Sequence, residues 1–367
     1  MVSGRMGMLF DLMEEGTKKY PQFGASLETY GMEFEAGPGS FALSVLPEDL
    51  ECGLELAMEY IREPLLAEDA FEKVKDRTLA DIRQSEDDPE SCARRILREQ
   101  VYGSHPYGRT SLGKSETISS LKIDSMHAAY QEYITPQELV IVISGACEGY
   151  DIPRLIASYF GTWQGRHVKE VLNELPKPTV YKRLFHSMQR DQVVLAYGGL
   201  SVARFDQRYD SLLIYDQLFG GGVTGSMRSR LFNLREKTGM FYSIGGTLLS
   251  GASKHPGMIY IRALTSASFV KKAADSIDAL LERAAEGISV QDIEEARRAI
   301  LYSLVALYET DRQLATSLVF LHRNKLSQTY FRDRAYMLQQ VTQEAVQKAV
   351  EEVVKRKNLM TIEVGRS

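Results

Sequence analysis

The sequence SRLFNLREKTGMFYSIGG, residues 229–246, decides the fold of this chain because it predicts a helix that passes directly into a strand. Its leucines lie at helical spacing, and Gly239 is typical of the residue just past a helix end. Phe241 and the residues that follow it then predict a strand that enters a sheet. Arg235 is therefore expected in the last helical turn, and Tyr242 at the start of the strand.

Arg235 and Tyr242 form a possible donor pair at this junction. A guanidinium fork and a phenol held side by side suit a carboxylate or a peptide carbonyl. The alternative is that Arg235 is an ordinary helix-end residue that binds nothing, and that Tyr242 is a half-buried strand residue. Spacing alone leaves both interpretations open.

Composition excludes several classes of function. The chain has 367 residues and a net charge of −5, with 44 basic and 49 acidic residues well mixed, so no nucleic-acid partner is expected. The three cysteines form no C-x-x-C pair, which favours a reducing compartment. No apolar run approaches the ~18–20 residues of a membrane span. We therefore expect a cytoplasmic protein with no membrane contact.

Two halves with the same order of elements are predicted along the chain. The first domain covers residues 1–165, a linker with two prolines covers 166–180, and the second domain covers 181–367. Strands are predicted at 41–46 and 139–144 in the first half, and at 258–263 and 359–364 in the second. The offsets between these pairs, 217 and 220 residues, agree closely, which indicates an internal repeat.

The first copy of this repeat lacks two strands that the second copy has. In the second half, strands at 181–188 and 192–199 precede the first helix, whereas the first half begins at that helix, around Met6. A sheet that lacks two strands exposes unpaired edges, which natural folds avoid. We expect either that residues before Met1 have been lost or that another chain supplies the strands.

Several segments together resemble the pitrilysin/insulinase-type zinc metallopeptidases, the inverzincins, over nearly the whole chain. In the first half these are EEGTKKY, YGMEFEA, LPEDLECGLELAMEYI, IRQSEDDPE, YGSHPYGR and LVIVISG, and in the second half SRLFNLREKTGMFYSIGG. The resemblance implies an α+β fold with two homologous domains, of which the first is truncated at its N-terminus. Each domain would have a six-stranded, mostly antiparallel sheet with helices on one face. Two such two-domain halves would close around a peptide chamber.

The zinc motif of that family is missing here. The family needs H-x-x-E-H on a helix, in which two histidines bind zinc and the glutamate is the general base. The motif would fall on residues 7–11, which read GMLFD, so that Phe10 replaces the glutamate. The region of the distal glutamate reads KDRTLADIR at 75–83, with Ala80 and Asp81 in the neighbourhood of the expected position. We expect no metal in this chain and a zinc ion in a partner half.

The other candidate sites give weaker signals. The six histidines never occur at i, i+3 or i, i+4, and His105 and His255 are expected in loops. The sequence GGGVTG at 220–225 lacks the lysine of a phosphate-binding loop. By the resemblance it is an entry loop near the chamber, and otherwise a flexible connector.

The resemblance implies a functional role for Arg235 and Tyr242, the two donors of the junction. In the family this pair comes from the half without zinc and reaches the substrate carbonyl, where the phenol stabilises the oxyanion. Residues 241–248 would be the edge strand that binds peptide; its candidate contact residues are Phe241, Ser243, Ile244 and Gly245. The expected function is thus the non-catalytic half of a zinc peptidase, inactive alone, whose partner is a zinc-bearing half or a second copy. The alternative is a purely structural or assembly subunit.

Overall fold

The computed structural model describes residues 3–165, 181–222 and 225–366. The predicted linker at 166–180 lies outside them. The helices are α1 (Arg5–Glu14), α2 (Phe23–Thr29), α3 (Leu50–Arg62), α4 (Glu68–Asp87), α5 (Pro89–Tyr102), α6 (Ser115–Ser119), α7 (Ile123–Tyr133), α8 (Ile152–Phe160), α9 (Tyr209–Phe219), α10 (Arg230–Thr238), α11 (Val270–Glu282), α12 (Val290–Val305), α13 (Asp311–Arg323), α14 (Tyr330–Gln339) and α15 (Gln343–Val353). The strands are β1 (Glu33–Gly37), β2 (Ser40–Ser44), β3 (Arg183–Ser187), β4 (Gln192–Leu200), β5 (Phe241–Ser250), β6 (Met258–Ser266) and β7 (Met360–Gly365).

The chain divides into two compact units, and each takes segments from both predicted halves. Among the described residues, the first unit takes those in Met1–Ser85, Thr110–Leu172 and Thr310–Phe320. The second takes those in Glu86–Arg109, Asn173–Glu309 and Leu321–Ser367. Helix α5, predicted as part of the first domain, therefore lies in the second unit. The domain boundaries read from the sequence stay a prediction.

The first unit is mainly helical, with one small sheet. Strands β1 and β2 form an antiparallel hairpin, as the GPG between them predicts. The core is built on α1, which buries Met8, Leu9 and Phe10 together with Tyr60 of α3. The aromatic ring of Tyr60 also contacts Phe34 of β1, with 4.8 Å between ring centroids. An amphipathic first helix thus packs the hairpin against the rest of the unit.

The predicted strand at 139–144 is wrong. Its sequence, LVIVIS, favours a strand, but the structure assigns no strand to these residues. The matching segment of the second unit, β7, pairs with β3 on one side and β4 on the other. The first unit has no described strands equivalent to β3 and β4. A β-branched segment cannot form a ladder without partners, whatever its propensity.

The second unit contains a five-stranded sheet in the order β3-β7-β4-β6-β5. Strands β3 and β7 are parallel, and every other pair is antiparallel. The predicted strands at 181–188, 192–199, 258–263 and 359–364 correspond to β3, β4, β6 and β7, and the α+β class is confirmed. The six strands implied by the resemblance are not found, because five strands form this sheet among the described residues.

Helices cover both faces of this sheet, which corrects the expectation of helices on one face. Along β4, Leu195 and Tyr197 face a core formed with α9, α11, α12 and α15. Val194 and Ala196 face the opposite side, where they pack with Leu97 of α5. Because β4 is apolar on both sides, one layer of helices would leave half of it in water. Helix α5 covers that second face.

No helix in the described part of the chain combines the length and the apolar character that a bilayer crossing requires.

Candidate functional site

The junction between α10 and β5 forms as its sequence predicts. Ser229 caps the start of α10, where its hydroxyl accepts a hydrogen bond from the N–H of Phe232 at 3.3 Å. Gly239 ends the helix in the left-handed region (φ 62°) and donates its N–H to the carbonyl of Arg235 at 2.9 Å. Arg235 therefore lies in the last turn of α10, and β5 begins two residues after the glycine.

The side chains of Arg235 and Tyr242 both face solvent. Tyr242 is 56% exposed, and the side chain of Arg235 is 42% exposed. The guanidinium of Arg235 lies 3.9 Å from the carboxylate of Glu236. Neither hydrogen bond nor ion pair joins Arg235 to Tyr242 among the described contacts. The structure thus presents both donors, exposed, at one junction.

A β-bulge sets Tyr242 apart from the ladder. Phe241 pairs with Thr265 of β6, and Ser243 pairs with Leu264, so Tyr242 is an extra residue opposite no partner of its own. Bulges of this kind re-aim a side chain and are frequent beside active sites. The sequence gives no sign of this bulge, because the register of β5 depends on its pairing with β6. The first residue of β6 comes 17 residues after the first residue of β5.

Arg230 anchors the start of α10 to the body of the second unit. Its guanidinium donates to the carbonyls of Ala284 (2.8 Å) and Glu286 (2.6 Å). It also lies over the ring of Tyr215, 5.4 Å from the centroid. Burial raises the pKa of Tyr215 to about 12, and its hydroxyl donates to Ala284 as well. These contacts hold the helix that carries Arg235, and sequence patterns did not reveal them.

Asp216 is a buried carboxylate in α9 that the sequence analysis did not single out. It accepts hydrogen bonds from the N–H of Leu248 (2.7 Å) and from the hydroxyl of Thr247 (2.9 Å), both in β5. Burial raises its pKa to about 6, although these two bonds oppose the rise. A carboxylate in the middle of an apolar helix was the signal that could have found it.

Strand β5 is an edge strand of the sheet, since it pairs with β6 alone among the described strands. Of the residues expected to bind peptide, Phe241 is buried, while Ser243, Ile244 and Gly245 are half-buried. The hydroxyl of Ser243 accepts a hydrogen bond from Arg262 at 3.4 Å, and Arg262 also pairs with Glu90 of α5 at 2.7 Å. The sequence-predicted edge strand therefore exists; peptide binding to it stays a prediction.

Of the glycines at 220–222, Gly220 lies against β5, and the two that follow it take backbone conformations that other residues avoid. Gly221 and Gly222 have φ values of +94° and +49°. A Cβ placed on Gly220 would lie 1.9 Å from the carbonyl oxygen of Gly246. The rest of the predicted entry loop includes residues 223 and 224, which lie outside the described part of the chain.

The position of the zinc motif is occupied by a helix with an apolar buried face. Residues 7–11 lie within α1, where Met8 and Leu9 are completely buried and Phe10 is 6% exposed. Phe10 therefore contributes to the core at the position where the family has a glutamate. This part of α1 packs as an ordinary core helix.

The few oxygen ligands near α1 do not fit zinc. Burial raises the pKa of Asp11, the charge of Asp81 raises it further, and the Arg77 guanidinium opposes both. The two carboxylates thus share one neighbourhood with a cation that already pairs with Glu15 at 3.2 Å. No group of three or more metal-binding side chains is found among the described residues. Three protein ligands are the minimum of a catalytic zinc site.

Two histidines that the sequence placed in separate loops lie together in the second unit. The rings of His105 and His255 have centroids 5.5 Å apart, and Tyr107 stacks edge-on against both. His105 is buried and accepts the N–H of Tyr107 at 3.2 Å. Burial, and to a smaller extent His255, lowers the pKa of His105. A buried imidazole in an aromatic cluster indicates packing.

Comparison with known protein families places one family model on the middle of the chain. A model described as the peptidase M16 inactive domain matches residues 120–300.

The chain is also similar to bacterial proteins described as uncharacterized zinc proteases. It is 27% identical to YmxG of Bacillus subtilis over 273 residues, which cover 72% of this chain and 63% of the relative. It is 24% identical to a Mycobacterium leprae protein over 83% of this chain and 67% of the relative. It is 24% identical to a Streptomyces coelicolor protein over 66% of this chain and 55% of the relative. The chain thus spans between about half and two thirds of the length of these relatives.

Solved structures share the fold at low identity. A peptidase M16 inactive domain from Pseudomonas fluorescens superposes with a TM-score of 0.86 at 19% identity, covering 100% of this chain and 89% of that one. A protease from Helicobacter pylori gives a TM-score of 0.86 at 16% identity, covering 99% of this chain and 89% of that one.

Proposed function

We propose that this chain, which is similar to the peptidase M16 inactive domain over residues 120–300, serves as the zinc-free half of a peptidase chamber. In this proposal a zinc-bearing half, on another chain or in a second copy, performs the chemistry. The present chain supplies part of the wall that holds the peptide, together with Arg235 and Tyr242. It has no proteolytic activity alone.

The bulge at Tyr242 carries the proposal. On a regular strand, successive side chains point to opposite faces of the sheet. The position of a tyrosine there is usually explained by its packing against a buried neighbour. Tyr242 instead lies out of register and exposes its phenol, directly after a helix end that exposes a guanidinium. This arrangement suits two donors that must reach a ligand outside the sheet.

The chemistry available to the two donors is substrate binding and charge stabilisation. The guanidinium of Arg235 can donate two parallel hydrogen bonds to a carboxylate or a carbonyl. The phenol of Tyr242 can donate to the oxygen of a scissile carbonyl, on which negative charge develops during attack by water. A zinc ion in the partner half would supply the activated water.

The core packing of α1 supports the assignment of the zinc to the partner. Phe10 lies within the hydrophobic cluster of the first unit, so the helix has no catalytic base at that position. Asp11 and Asp81, which remain nearby, share the positive charge of Arg77 with Glu15. The first unit is thus suited to a structural role in the chamber.

A second candidate function is that of a structural or assembly subunit in the same family. It is favoured by the contacts of Arg235, whose guanidinium lies 3.9 Å from the carboxylate of Glu236, while no described hydrogen bond joins it to Tyr242. In that case the two side chains would be ordinary surface residues. This chain would then still bind the zinc-bearing half after both side chains had been removed by substitution.

The test is peptide cleavage by a mixture of this chain with a zinc-bearing M16 subunit, compared with either chain alone. We expect activity in the mixture that exceeds the sum of the two, and a loss of ~10²-fold when Tyr242→Phe removes the phenol oxygen. Arg235→Lys should raise KM, because a single ammonium cannot replace the fork.

Tyr302→Phe is the matched control, since Tyr302 is also an exposed tyrosine, on α12. Unchanged rates for Tyr242→Phe, with partner binding intact, would favour the assembly subunit and reject the donor role.

A further inference from the structure

A cavity of about 640 Å³ lies in the second unit, between the C-terminal ends of α11 and α15. This volume is within the range of sites that bind small molecules. Three buried apolar side chains form part of its floor: Leu281, Val350 and Val354. Four exposed charged side chains form its rim: Glu282, Glu351, Lys355 and Lys357.

Arg356 fixes the wall of the cavity that follows α15. Its guanidinium pairs with Asp278 of α11 at 2.6 Å and donates to the hydroxyl of Thr361 in β7 at 2.9 Å. It also lies over the rings of Tyr181 and Tyr197, 4.6 and 5.0 Å from their centroids. Because these contacts join the loop after α15 to α11, this wall is formed before any ligand binds.

The opposite wall, at the turn after α11, is fixed as well. Ala284 lines the cavity, and its carbonyl accepts hydrogen bonds from Arg230 at 2.8 Å and from the hydroxyl of Tyr215 at 2.5 Å. The cavity is thus a preformed site, which spares a ligand the cost of ordering its walls.

The charges at the rim have opposite signs and do not neutralise each other directly. In the described part of the chain, no hydrogen bond or ion pair engages the side chains of Glu282, Lys355 or Lys357, although all three line one cavity. The two helices that end here have no basic residue in their last turns. Their terminal carbonyls therefore add partial negative charge beside the glutamates.

We propose that this cavity binds a short peptide with free amino and carboxyl ends and small apolar side chains. The ammonium group contacts Glu282 and Glu351, beside the two helix ends. The carboxylate contacts Lys355 and Lys357. The side chains of the peptide lie on the apolar floor. A ligand that has only one of the two charges would cover the rim groups of the other sign without pairing them, which is unfavourable.

The cavity is separate from the junction that carries Arg235 and Tyr242. Tyr181 leads into β3, and β3 and β5 are the opposite edges of the five-stranded sheet. The inference therefore goes beyond the proposed function and needs neither zinc nor a partner half. Peptide hydrolysis releases peptides with free ends, so this class of ligand agrees with the proposed function without depending on it.

The experiment is isothermal titration calorimetry of the full chain with the tripeptide valyl-alanyl-valine. We expect this peptide to bind, and we expect its N-acetylated form and its C-terminal amide each to bind about tenfold more weakly or worse. Each modification removes one of the two charges and leaves the apolar side chains in place. The peptide that is blocked at both ends should not bind measurably.

Substitutions at the rim and in the floor provide a second readout. Glu282→Gln and Lys357→Gln should each weaken binding several-fold, because each removes one partner of a charged end. The matched controls are Glu286→Gln and Lys348→Gln, which change exposed residues that do not line the cavity. Ala285→Leu, at a half-buried position in the cavity, should abolish binding by filling it. Thermal unfolding confirms that each variant folds.

Methyl NMR of the unaltered chain, labelled with ¹³C at the alanine methyl groups, locates the bound peptide. The methyl resonances of Ala284 and Ala285 should shift on titration, since both residues line the cavity. The resonance of Ala345, an exposed residue of α15 outside the cavity, should stay unchanged. This readout decides the question even when a variant fails to fold.

Three results would overturn the inference: no binding of the free tripeptide at millimolar concentration, equal binding of the peptide blocked at both ends, or methyl shifts that spare Ala284 and Ala285. Equal binding of the blocked peptide would identify an apolar groove that does not recognise charge. The proposed function is tested separately, because Tyr242→Phe should leave this binding unchanged whatever its effect on cleavage in the mixture.

Discussion

The carboxylate of Asp216 accepts the backbone N–H of Leu248 at 2.7 Å, which ties the middle of α9 to the free edge of β5. One buried side chain thus satisfies a strand donor that has no strand partner. Its second oxygen accepts a hydrogen bond from the hydroxyl of Thr247, so both carboxylate oxygens bind to β5.

The stability of the chain should depend on pH through Asp216. Its pKa in the folded state, about 6, lies above the ordinary value of 3.8, because burial favours the neutral form. Its contribution to the unfolding free energy is therefore complete below pH ~4 and is lost as the pH rises through 6. The difference amounts to about 3 kcal/mol. Asp216→Asn stays neutral and should remove this part of the pH dependence.

Urea unfolding of both proteins between pH 4 and 8 measures the effect. Asp191→Asn is the control, since Asp191 is an exposed aspartate in the same unit. If the curves of Asp216→Asn and the unaltered chain stay parallel over this range, the buried carboxylate does not titrate as stated.

Gly220→Ala should destabilise the second unit, because the added Cβ would lie 1.9 Å from the carbonyl oxygen of Gly246. Relief requires α9 or β5 to shift, at a cost of about 1–3 kcal/mol. Gly245→Ala is the matched control, since a Cβ there meets nothing within 4 Å. Its effect on the midpoint of thermal unfolding should be small. Equal losses for the two variants would contradict the close approach of α9 to the edge.

Phe10→Glu should destabilise the first unit, although it restores the residue type of the zinc motif. Phe10 is 6% exposed and packs in the core, so the variant would bury a carboxylate and lose a ring. We expect a loss of at least ~3 kcal/mol in the free energy of unfolding. Phe10→Leu keeps an apolar side chain and should lose much less. A fully stable Phe10→Glu that binds zinc would contradict the assignment of α1 as a core helix.

The amides of residues 140–143 should exchange rapidly with solvent, because this segment has no ladder partner among the described residues. The equivalent amides of 360–363, in β7 between β3 and β4, should be strongly protected. Hydrogen exchange followed by mass spectrometry compares the two segments in one experiment. Protection that appears only when a partner chain is added would support strands supplied from outside. Equal protection in the isolated chain would show that 139–144 is paired after all.

The sequence by itself determined the local elements of this protein. Gly239 predicts the end of α10 because only a residue without a Cβ takes that conformation easily. The apolar periodicity of α1 and the β-branched composition of β7 likewise predict their elements. The sequence alone shows that residues 7–11 lack the H-x-x-E-H motif, because a motif is a property of the residue types themselves.

Only the tertiary structure decided which segments meet. The bulge that exposes Tyr242 depends on the register between β5 and β6, and the burial of Asp216 depends on the packing of α9 against β5. Residues 139–144 are rich in β-branched residues, as β7 is, yet they form no strand, because a ladder needs hydrogen-bonding partners at its edges. Pairing and burial join residues far apart along the chain, and no local pattern encodes such distances.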